Sequence, residues 1–519
     1  MKLSFLNKNS CGKGQRDRFY DKTDIAKHRE WRGLSDTWYD YRQWVVNMGI
    51  FGTFMAKMPV RLAKGMLEYR WFGSYLASLA MVDRAVEGLR GPALEAAHMQ
   101  MHTVMRGATA QIGAMLEGDR RFGENEAAGR QVLFEQTMPG DILAGFPALT
   151  PLTFEAFQGL LGCFQDQRLA PYYLDIMEKA GLPADSCRLS ATTAGIALND
   201  DFPKNGACLI MNNMPCDSST MNSQLVDRIL DIPSLAVCMP MRWEDESTDA
   251  YAVERLEKLA AFVESVTGEH FDKNALIEGM KKHNAEVENE FAAWEFASTP
   301  YTIYAAQAFN LFHVFYYTFS GGSNPEVVKT QKKVLALAEK TYREKINAFP
   351  KTRHRALTWG APACFYAQFA NWLYNCWGIL QIMAMDSFDG NVIIDTSTYE
   401  STMLGIAKNY EKSIMRRHLT GGYEHMLEFW DESEKFNCDI IIMYDDITCK
   451  GALGMSGIIN DQAKMHPDRH LITLQHDLFD CRTINRNEFR RQVNDYMTAV
   501  LREEPLDATL LDYDDSEGW

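Results

Sequence analysis

The chain has 519 residues, of which 46% are hydrophobic and 24% are charged, the ordinary balance of a globular protein that can bury large cores. Its formal net charge of −16 at pH 7, without a basic patch, argues against a nucleic-acid-binding protein. The 11 cysteines are scattered singly, and Met1–Arg18 has no sustained apolar core. A secreted disulfide scaffold is therefore disfavoured, and a cytoplasmic location is expected.

Residues 1–130 are predicted to form a helical N-terminal region. Aromatic residues recur there at roughly helical spacing, at Trp31, Trp38, Tyr41 and Trp44. Such a stripe is typical of a helix that packs on a core or on another subunit. The sequence leaves both possibilities open.

Residues 131–270 are predicted to form a first α/β domain. Ala207–Met211 and Leu235–Met239 are apolar runs of strand length, and helical patterns follow them at Ser218–Ile229 and Ala252–Val266. Strands that alternate with helices predict a small parallel sheet.

Residues 271–352 are predicted to be a second helical segment. Its most apolar stretch, Tyr301–Phe319, contains Gln307, Asn310 and His313. We therefore predict a buried aromatic helix there and no membrane span.

Residues 353–505 are predicted to form a second α/β domain, followed by an acidic tail at 506–519. Its four strand candidates and its closing helix are Arg355–Trp359, Ile379–Met385, Ile440–Met443, Leu471–Leu474 and Glu488–Leu501. The predicted fold class is thus α/β, with two small parallel-sheet domains that face a cleft and a large additional helical part.

Three loops predicted at strand ends each carry one cysteine: Cys187, Cys216 and Cys449. Ligands bind at the carboxyl edge of open α/β sheets, so these thiols would converge if the two domains face each other. Iron–sulfur clusters are held by thiolates that need not be close in sequence. The alternative is that each cysteine is a small buried hydrophobic residue.

Three polar residues also lie at predicted strand ends: Asp386, Asp446 and His476. They are candidates for substrate binding, and the alternative is that they cap turns or helices. The chain contains no G-x-x-x-x-G-K-[ST], G-x-G-x-x-G or H-E-x-x-H motif, so the sequence gives no support for a nucleotide-binding protein or a zinc protease of these kinds.

Several segments, in the same order, resemble the larger subunit of the two-subunit component of 2-hydroxyacyl-CoA dehydratases. That superfamily also includes the ATP-dependent benzoyl-CoA reductases. The resembling segments are Asp185–Leu198, Asn212–Ser219, Val266–Asn284, His354–Gly390, the TCKG motif at 448–451 and Asp477–Leu501.

The resemblance implies a [4Fe–4S] cluster held by cysteines from three separate loops, between the α/β domains and near a CoA-ester site. By motif match Cys187 and Cys449 are ligands, and Cys216 lies in a neighbouring loop where the family often has a cysteine. A glycine, Gly140, stands where the resemblance implies the first family cysteine.

The resemblance also implies a function and partners. The chain would pair with a related, smaller iron–sulfur subunit, and an ATP-hydrolysing activator protein would deliver one electron. The reaction would be the oxygen-sensitive dehydration of a 2-hydroxyacyl-CoA to the 2-enoyl-CoA through a ketyl radical anion. Two alternatives stay open: an ATP-dependent reductase subunit of the benzoyl-CoA reductase type, and a non-catalytic scaffold subunit that has lost its cluster.

Overall fold

The computed structural model describes residues 34–75, 82, 85–86, 89–135, 140–153, 169–212, 217–240, 245–305, 308–313, 324–366, 368–384, 391–412 and 423–512. Within these ranges, no helix combines the length and the apolar character needed to cross a lipid bilayer.

Helices make up most of the described chain. In chain order they are α1 (Leu34–Lys57), α2 (Pro59–Glu68), α3 (Arg70–Tyr75), α4 (Gly91–Gly118), α5 (Glu126–Gly129), α6 (Leu169–Lys179), α7 (Arg188–Leu198), α8 (Asp217–Leu230), α9 (Glu246–Thr267), α10 (Lys273–Ala297), α11 (Pro325–Glu344), α12 (Phe369–Trp377), α13 (Tyr399–Glu411), α14 (Tyr423–Lys435), α15 (Lys450–Met465) and α16 (Arg486–Tyr496).

Eight strands form two parallel sheets in the described part of the chain. Sheet A has the order β2-β1-β3-β4, and sheet B has the order β6-β5-β7-β8. The strands are β1 (Gln131–Phe134), β2 (Thr150–Thr153), β3 (Cys208–Asn212), β4 (Ser234–Val237), β5 (His354–Trp359), β6 (Ile379–Ala384), β7 (Ile440–Asp446) and β8 (His470–His476). The prediction of two parallel sheets in an α/β fold is confirmed.

Two strands of sheet B, the edge strand β6 and the central strand β7, are covered on both faces. All their residues are buried, which explains why their sequences are mostly apolar and do not alternate. Helices α12 and α15 connect parallel neighbours, so they run back across the sheet and begin at its carboxyl edge. Any residue at the start of α15 therefore lies at the edge where the strands end.

A sharp bend between α9 and α10 lies within Val266–Asn284, one of the segments that carry the family resemblance. Gly268 ends α9 in the left-handed conformation, with φ 74°, and Asp272 caps α10 by accepting hydrogen bonds from Asn274 N and Ala275 N. The amide of Asp272 also donates to Gly145 O, at 2.8 Å. The bend thus fixes α10 beside Gly140–Gly145, a 3-10 turn that follows β1.

One hydrophobic core runs through the helical region and both sheets. It includes Leu116 of α4, Leu209 of sheet A and Ile441 of sheet B. Polar contacts join the same parts, because Trp71 Nε1 donates to Asp201 O at 2.9 Å and Gln131 Nε2 donates to Ala114 O at 2.6 Å. The helical region is therefore packed on the sheets.

Several local features differ from expectation or lie beyond the described residues. Trp38 is 73% exposed and so is not a core residue, while Trp31 and the side chains of Tyr41 and Trp44 are outside the description. Within the predicted aromatic helix, Phe309 and Phe312 are buried. At the start of the acidic C-terminal segment, Leu510 is buried and its carbonyl accepts from Trp372 Nε1.

Candidate functional site between the two sheets

Cys449 caps the helix that follows β7. The strand ends at Asp446, whose Oδ1 accepts from Thr448 N and Thr448 Oγ1, both at 2.9 Å, and so shapes the turn. Cys449 Sγ then accepts from Ala452 N, at 3.4 Å, in the first turn of α15. The partly exposed thiol therefore lies at a helix N-terminus at the carboxyl edge of sheet B.

Burial raises the pKa of the Cys449 thiol, and the amide of Ala452 only partly offsets this. The nearby carboxylate of Asp446 also favours the neutral form. Binding of a metal would have to displace this proton, because the thiolate is the ligand.

Cys187 occupies the equivalent position at sheet A. It is the N-cap of α7, is partly exposed, and precedes the helix that leads into β3. Since β3 starts at the amino edge of the sheet, α7 begins at the carboxyl edge. The predicted loop differs in one respect: it follows helix α6 and not a strand, so two helices succeed each other before β3.

Two ion pairs join the segments of these cysteines. Lys450, next to Cys449, lies 3.4 Å from Asp185 Oδ2, and both side chains are exposed. Arg188, next to Cys187, donates through Nε to Asp477 Oδ2 at 3.0 Å, and both are buried. The carboxyl edges of the two sheets therefore meet, with Cys187 and Cys449 at the seam between them.

Asp477 follows the last residue of β8 and anchors the seam. Its Oδ1 accepts from Phe479 N at 3.1 Å and from Asp480 N at 2.9 Å. Burial raises the pKa of Asp477, and the amide of Asp480 and the Arg188 guanidinium oppose that shift. Arg188 also donates to Glu178 Oε1 at 3.2 Å, so one guanidinium links α6, α7 and sheet B.

Asp446 and His476 are register partners at the end of β7 and β8. His476 Nε2 lies 3.0 Å from Ala361 O, and the ring packs on Tyr444 and Phe489. Since a carbonyl oxygen only accepts, Nε2 carries the proton. Both residues are at the predicted sheet edge, and their described contacts shape the loops there.

Two of the predicted site residues, Cys216 and Asp386, lie outside the described residues. Cys216 falls between Asn212, the last residue of β3, and Asp217, the first of α8. Asp386 falls just after β6. Among the described residues there is no group of three or more His, Cys, Asp or Glu side chains that could hold a metal ion.

Sequence reasoning did not single out Arg188 or Glu135 as site residues. Arg188 is a buried cation in the otherwise apolar and small-residue helix RLSATTAGIAL, and Glu135 is a buried acid directly after the apolar strand QVLF. A charged residue within a run of residues expected to be buried indicates that the charge needs a hydrogen-bond or ion-pair partner. The partners themselves are distant in sequence and cannot be read from it.

A family comparison gives the decisive finding. Residues 151–497 match the family described as 2-hydroxyglutaryl-CoA dehydratase, D-component. The chain belongs to this family. The D-component match extends from β2 into the π-helical turn Met497–Leu501 that continues α16, so it includes Cys187, Cys216, Cys449 and Asp477. A comparison with curated proteins gives no significant match.

D-component membership confirms the resemblance to the 2-hydroxyacyl-CoA dehydratase superfamily and makes the chain a dehydratase-component subunit of that type. The donor set at the seam suits an iron–sulfur cluster in kind: two partly exposed thiols, each at a helix N-terminus where the helix dipole favours negative charge.

Proposed function

We propose that this chain is a subunit of an oxygen-sensitive iron–sulfur enzyme that dehydrates a 2-hydroxyacyl-CoA to the 2-enoyl-CoA. The observation that carries the proposal is the pair of ion pairs, Asp185–Lys450 and Arg188–Asp477, which bring the segments of Cys187 and Cys449 to one seam. Family membership supplies the reaction type.

Cys187, Cys216 and Cys449 would hold a [4Fe–4S] cluster, which when bound supplies one low-potential electron for the thioester carbonyl. The reaction removes the C2 hydroxyl and one C3 proton as water and returns the electron, so it consumes no reductant overall. The chain's own task is to hold the thioester at the seam and to keep water out.

The described side chains suggest how that task is divided. Arg188 and Asp477 neutralise each other and keep the sheet edges together without leaving a bare charge at the site. Asp446 and His476 shape the loops beside Cys449, and with Asp386 they remain our candidates for contact with the substrate.

The proposal includes two protein partners. A related iron–sulfur subunit would complete the dehydratase, and an ATP-hydrolysing activator would deliver the electron. Family membership supports the first in general terms, because a component of this type acts within an assembly.

The cluster is tested by replacing cysteines under strict anaerobiosis. Cys449→Ala and Cys187→Ala should each lose the visible absorption and most of the iron and acid-labile sulfide. Cys376→Ala is the matched control, because Cys376 is buried in α12 and burial raises its pKa to about 12. Equal iron loss in all three variants, or wild-type chain without iron, would contradict the proposal.

One observation favours a second candidate, a non-catalytic scaffold. Gly140 has no ligand atom, and the side chain beside it is already engaged, since Asp141 Oδ2 accepts from Asn409 Nδ2 at 3.0 Å. A scaffold would contain no iron even when isolated with its partner. The third reading, a reductase, is separated by electron stoichiometry, because reduction consumes electrons and dehydration recycles them.

A further inference from the structure

We infer that His354 is a pH-sensitive clasp: its protonated ring holds the segment that follows α16 against the amino edge of sheet B, and loss of the proton weakens this hold. His354 is the first residue of β5, and Asp439 directly precedes β7. Because β5 and β7 are parallel neighbours, both residues lie at the amino edge of the sheet, away from the seam. The inference therefore does not depend on the proposed function.

The ring of His354 lies between two carboxylates. Its Nδ1 is 2.7 Å from Asp439 Oδ2, and its Nε2 is 2.9 Å from Glu503 Oε1. A carboxylate oxygen only accepts, and a neutral imidazole donates from one nitrogen only. Two ionised carboxylates can therefore both be bound only when His354 is an imidazolium ion.

The same contacts favour the charged ring. The hydrogen bond to Asp439 raises the pKa of His354, burial of the ring opposes this shift, and Glu503 adds to it. Since the folded pKa lies above the ordinary value of 6.5, the clasp is complete below about pH 6.5 and is lost as pH rises through the folded pKa.

Glu503 lies where the chain leaves the π-helical turn after α16 and crosses the sheet edge. Arg502 turns the chain in the left-handed conformation, with φ 58°, and the amide of Glu503 donates to Met497 O at 3.0 Å. Further along, the amide of Leu506 donates to Cys376 O of α12 at 2.7 Å. Residues 503–506 thus connect α16 with α12, and His354 binds the side chain at the start of this connection.

The other charged groups at this edge differ from His354 in their response to pH. The guanidinium of Arg353 is 3.6 Å from Glu503 Oε2, in an ion pair whose side chains are both partly exposed. The guanidinium of Arg355 donates to backbone carbonyl groups. Of the two cations that contact Glu503 in the described chain, only His354 loses its charge near neutral pH, because a guanidinium stays protonated.

Deprotonation removes one of the two donors of the ring. We expect the shorter hydrogen bond, to Asp439, to remain, so that a bare Nε2 then faces the carboxylate of Glu503. Glu503 keeps only its ion pair with Arg353, and residues 503–506 open more often.

Hydrogen exchange of the full-length chain at pH 6 and pH 9, followed by mass spectrometry, tests the clasp. Each rate is divided by the rate of an unstructured peptide at the same pH, and the buried strand β7 is the reference for global stability. Between the two pH values, protection of residues 503–506 should fall about tenfold more than protection of β7, because one charge-assisted hydrogen bond is lost.

Three variants isolate the ring. His354→Gln cannot carry the charge, so it should show the weaker protection at both pH values. Glu503→Gln should show strong protection at both, because its amide accepts from a protonated Nε2 and donates to a bare one. His470→Gln is the matched control, since His470 begins β8 at the same edge, and it should behave as wild type.

Two results would overturn the inference. One is a change of less than about twofold in the wild-type protection of residues 503–506 relative to β7. The other is an unchanged pH dependence in folded His354→Gln. If β7 is unprotected in His354→Gln, that variant is unfolded and Glu503→Gln decides: a pH dependence equal to that of wild type would contradict the clasp, and its loss would support it.

Discussion

Arg188 and Asp477 form the most deeply buried ion pair at the seam, and removing one partner tests its importance. Arg188→Ala should lower the free energy of unfolding by about 3 kcal/mol, because it leaves a buried carboxylate without its cation. Urea unfolding measures this. The control is Arg491→Ala, whose side chain is 63% exposed beside the exposed carboxylate of Glu488, and it should cost much less. Equal losses would mean that the seam pair is no stronger than a surface pair.

The buried carboxyl group of Glu286 should make the free energy of unfolding depend on pH. Burial raises its pKa from 4.5 to about 8, opposed by the amide of Asn324 and reinforced by the carboxylates of Asp141 and Glu290. The folded chain therefore holds this proton more tightly than the unfolded chain, so stability falls as pH rises from about 4.5 through 8.

Between pH 6 and pH 8, the wild-type chain should lose about 2 kcal/mol more than Glu286→Gln, which stays neutral throughout. Urea unfolding of both chains at the two pH values gives this difference. A difference near zero, or of opposite sign, would show that Glu286 ionises in the folded chain as it does in water.

At the scale of elements, the close contact of α6 with α7 predicts opposite effects for two glycines. A Cβ at Gly195 would collide with the carbonyl oxygen of Tyr173 on α6, whereas a Cβ at Gly454 of α15 meets nothing within 4 Å. Gly195→Ala should destabilise by about 2 kcal/mol, since α7 must shift.

Gly454→Ala should stabilise by about 0.5–1 kcal/mol, because alanine is the better helix former. Thermal unfolding of the two variants measures both effects. Stabilisation by both would show that α6 and α7 separate easily, and that the Cys187 end of α7 is loosely held.

The elements of sheet B could be predicted closely from the sequence, and those of sheet A less so. Ile440–Met443 was visible because a strand buried on both faces is a continuous apolar run. Leu471–Leu474 was visible because three of its four residues are apolar, although β8 is buried on one face only. β1 and β2 have only four residues each, and β2 contains Pro151, which an edge strand tolerates. Their signals are too short to separate from loops.

The positions of Asp446 and His476 at strand ends and of Cys449 in the turn after β7 could be predicted, because β7 and β8 have a strong apolar pattern. The contacts that join these residues to sheet A could not be predicted. The cation of Arg188 and the carboxylate of Asp477 are each ordinary in local sequence, and their pairing depends on how two separate sheets pack. The spacing of apolar residues predicts the structure of a single helix or strand, but it does not predict how separate elements pack.

For the whole molecule, the continuous core predicts cooperative unfolding across the expected boundary at residue 131. Trp71 in α3 is buried and donates to Asp201 O beside sheet A, so Trp71→Ala should destabilise the entire chain by about 4 kcal/mol. Circular dichroism and tryptophan fluorescence during urea unfolding should then shift together.

Trp38→Ala is the matched control, because Trp38 is 73% exposed, and it should change stability by less than about 0.5 kcal/mol. A separate early transition in Trp71→Ala, with the rest of the chain unaffected, would instead identify the helical region as an independent domain.

The seam also has a consequence for how the protein is made. Arg188 and Asp477 are 289 residues apart in sequence, so their contact must wait for the last strand to leave the ribosome. At roughly 5–20 residues per second, that is a delay of about 15 s to a minute after the Cys187 segment emerges. During this interval the thiol of Cys187 has no counterpart from sheet B. Under the proposed function, a cluster held by thiols of both sheets could therefore be inserted only after β8 has emerged.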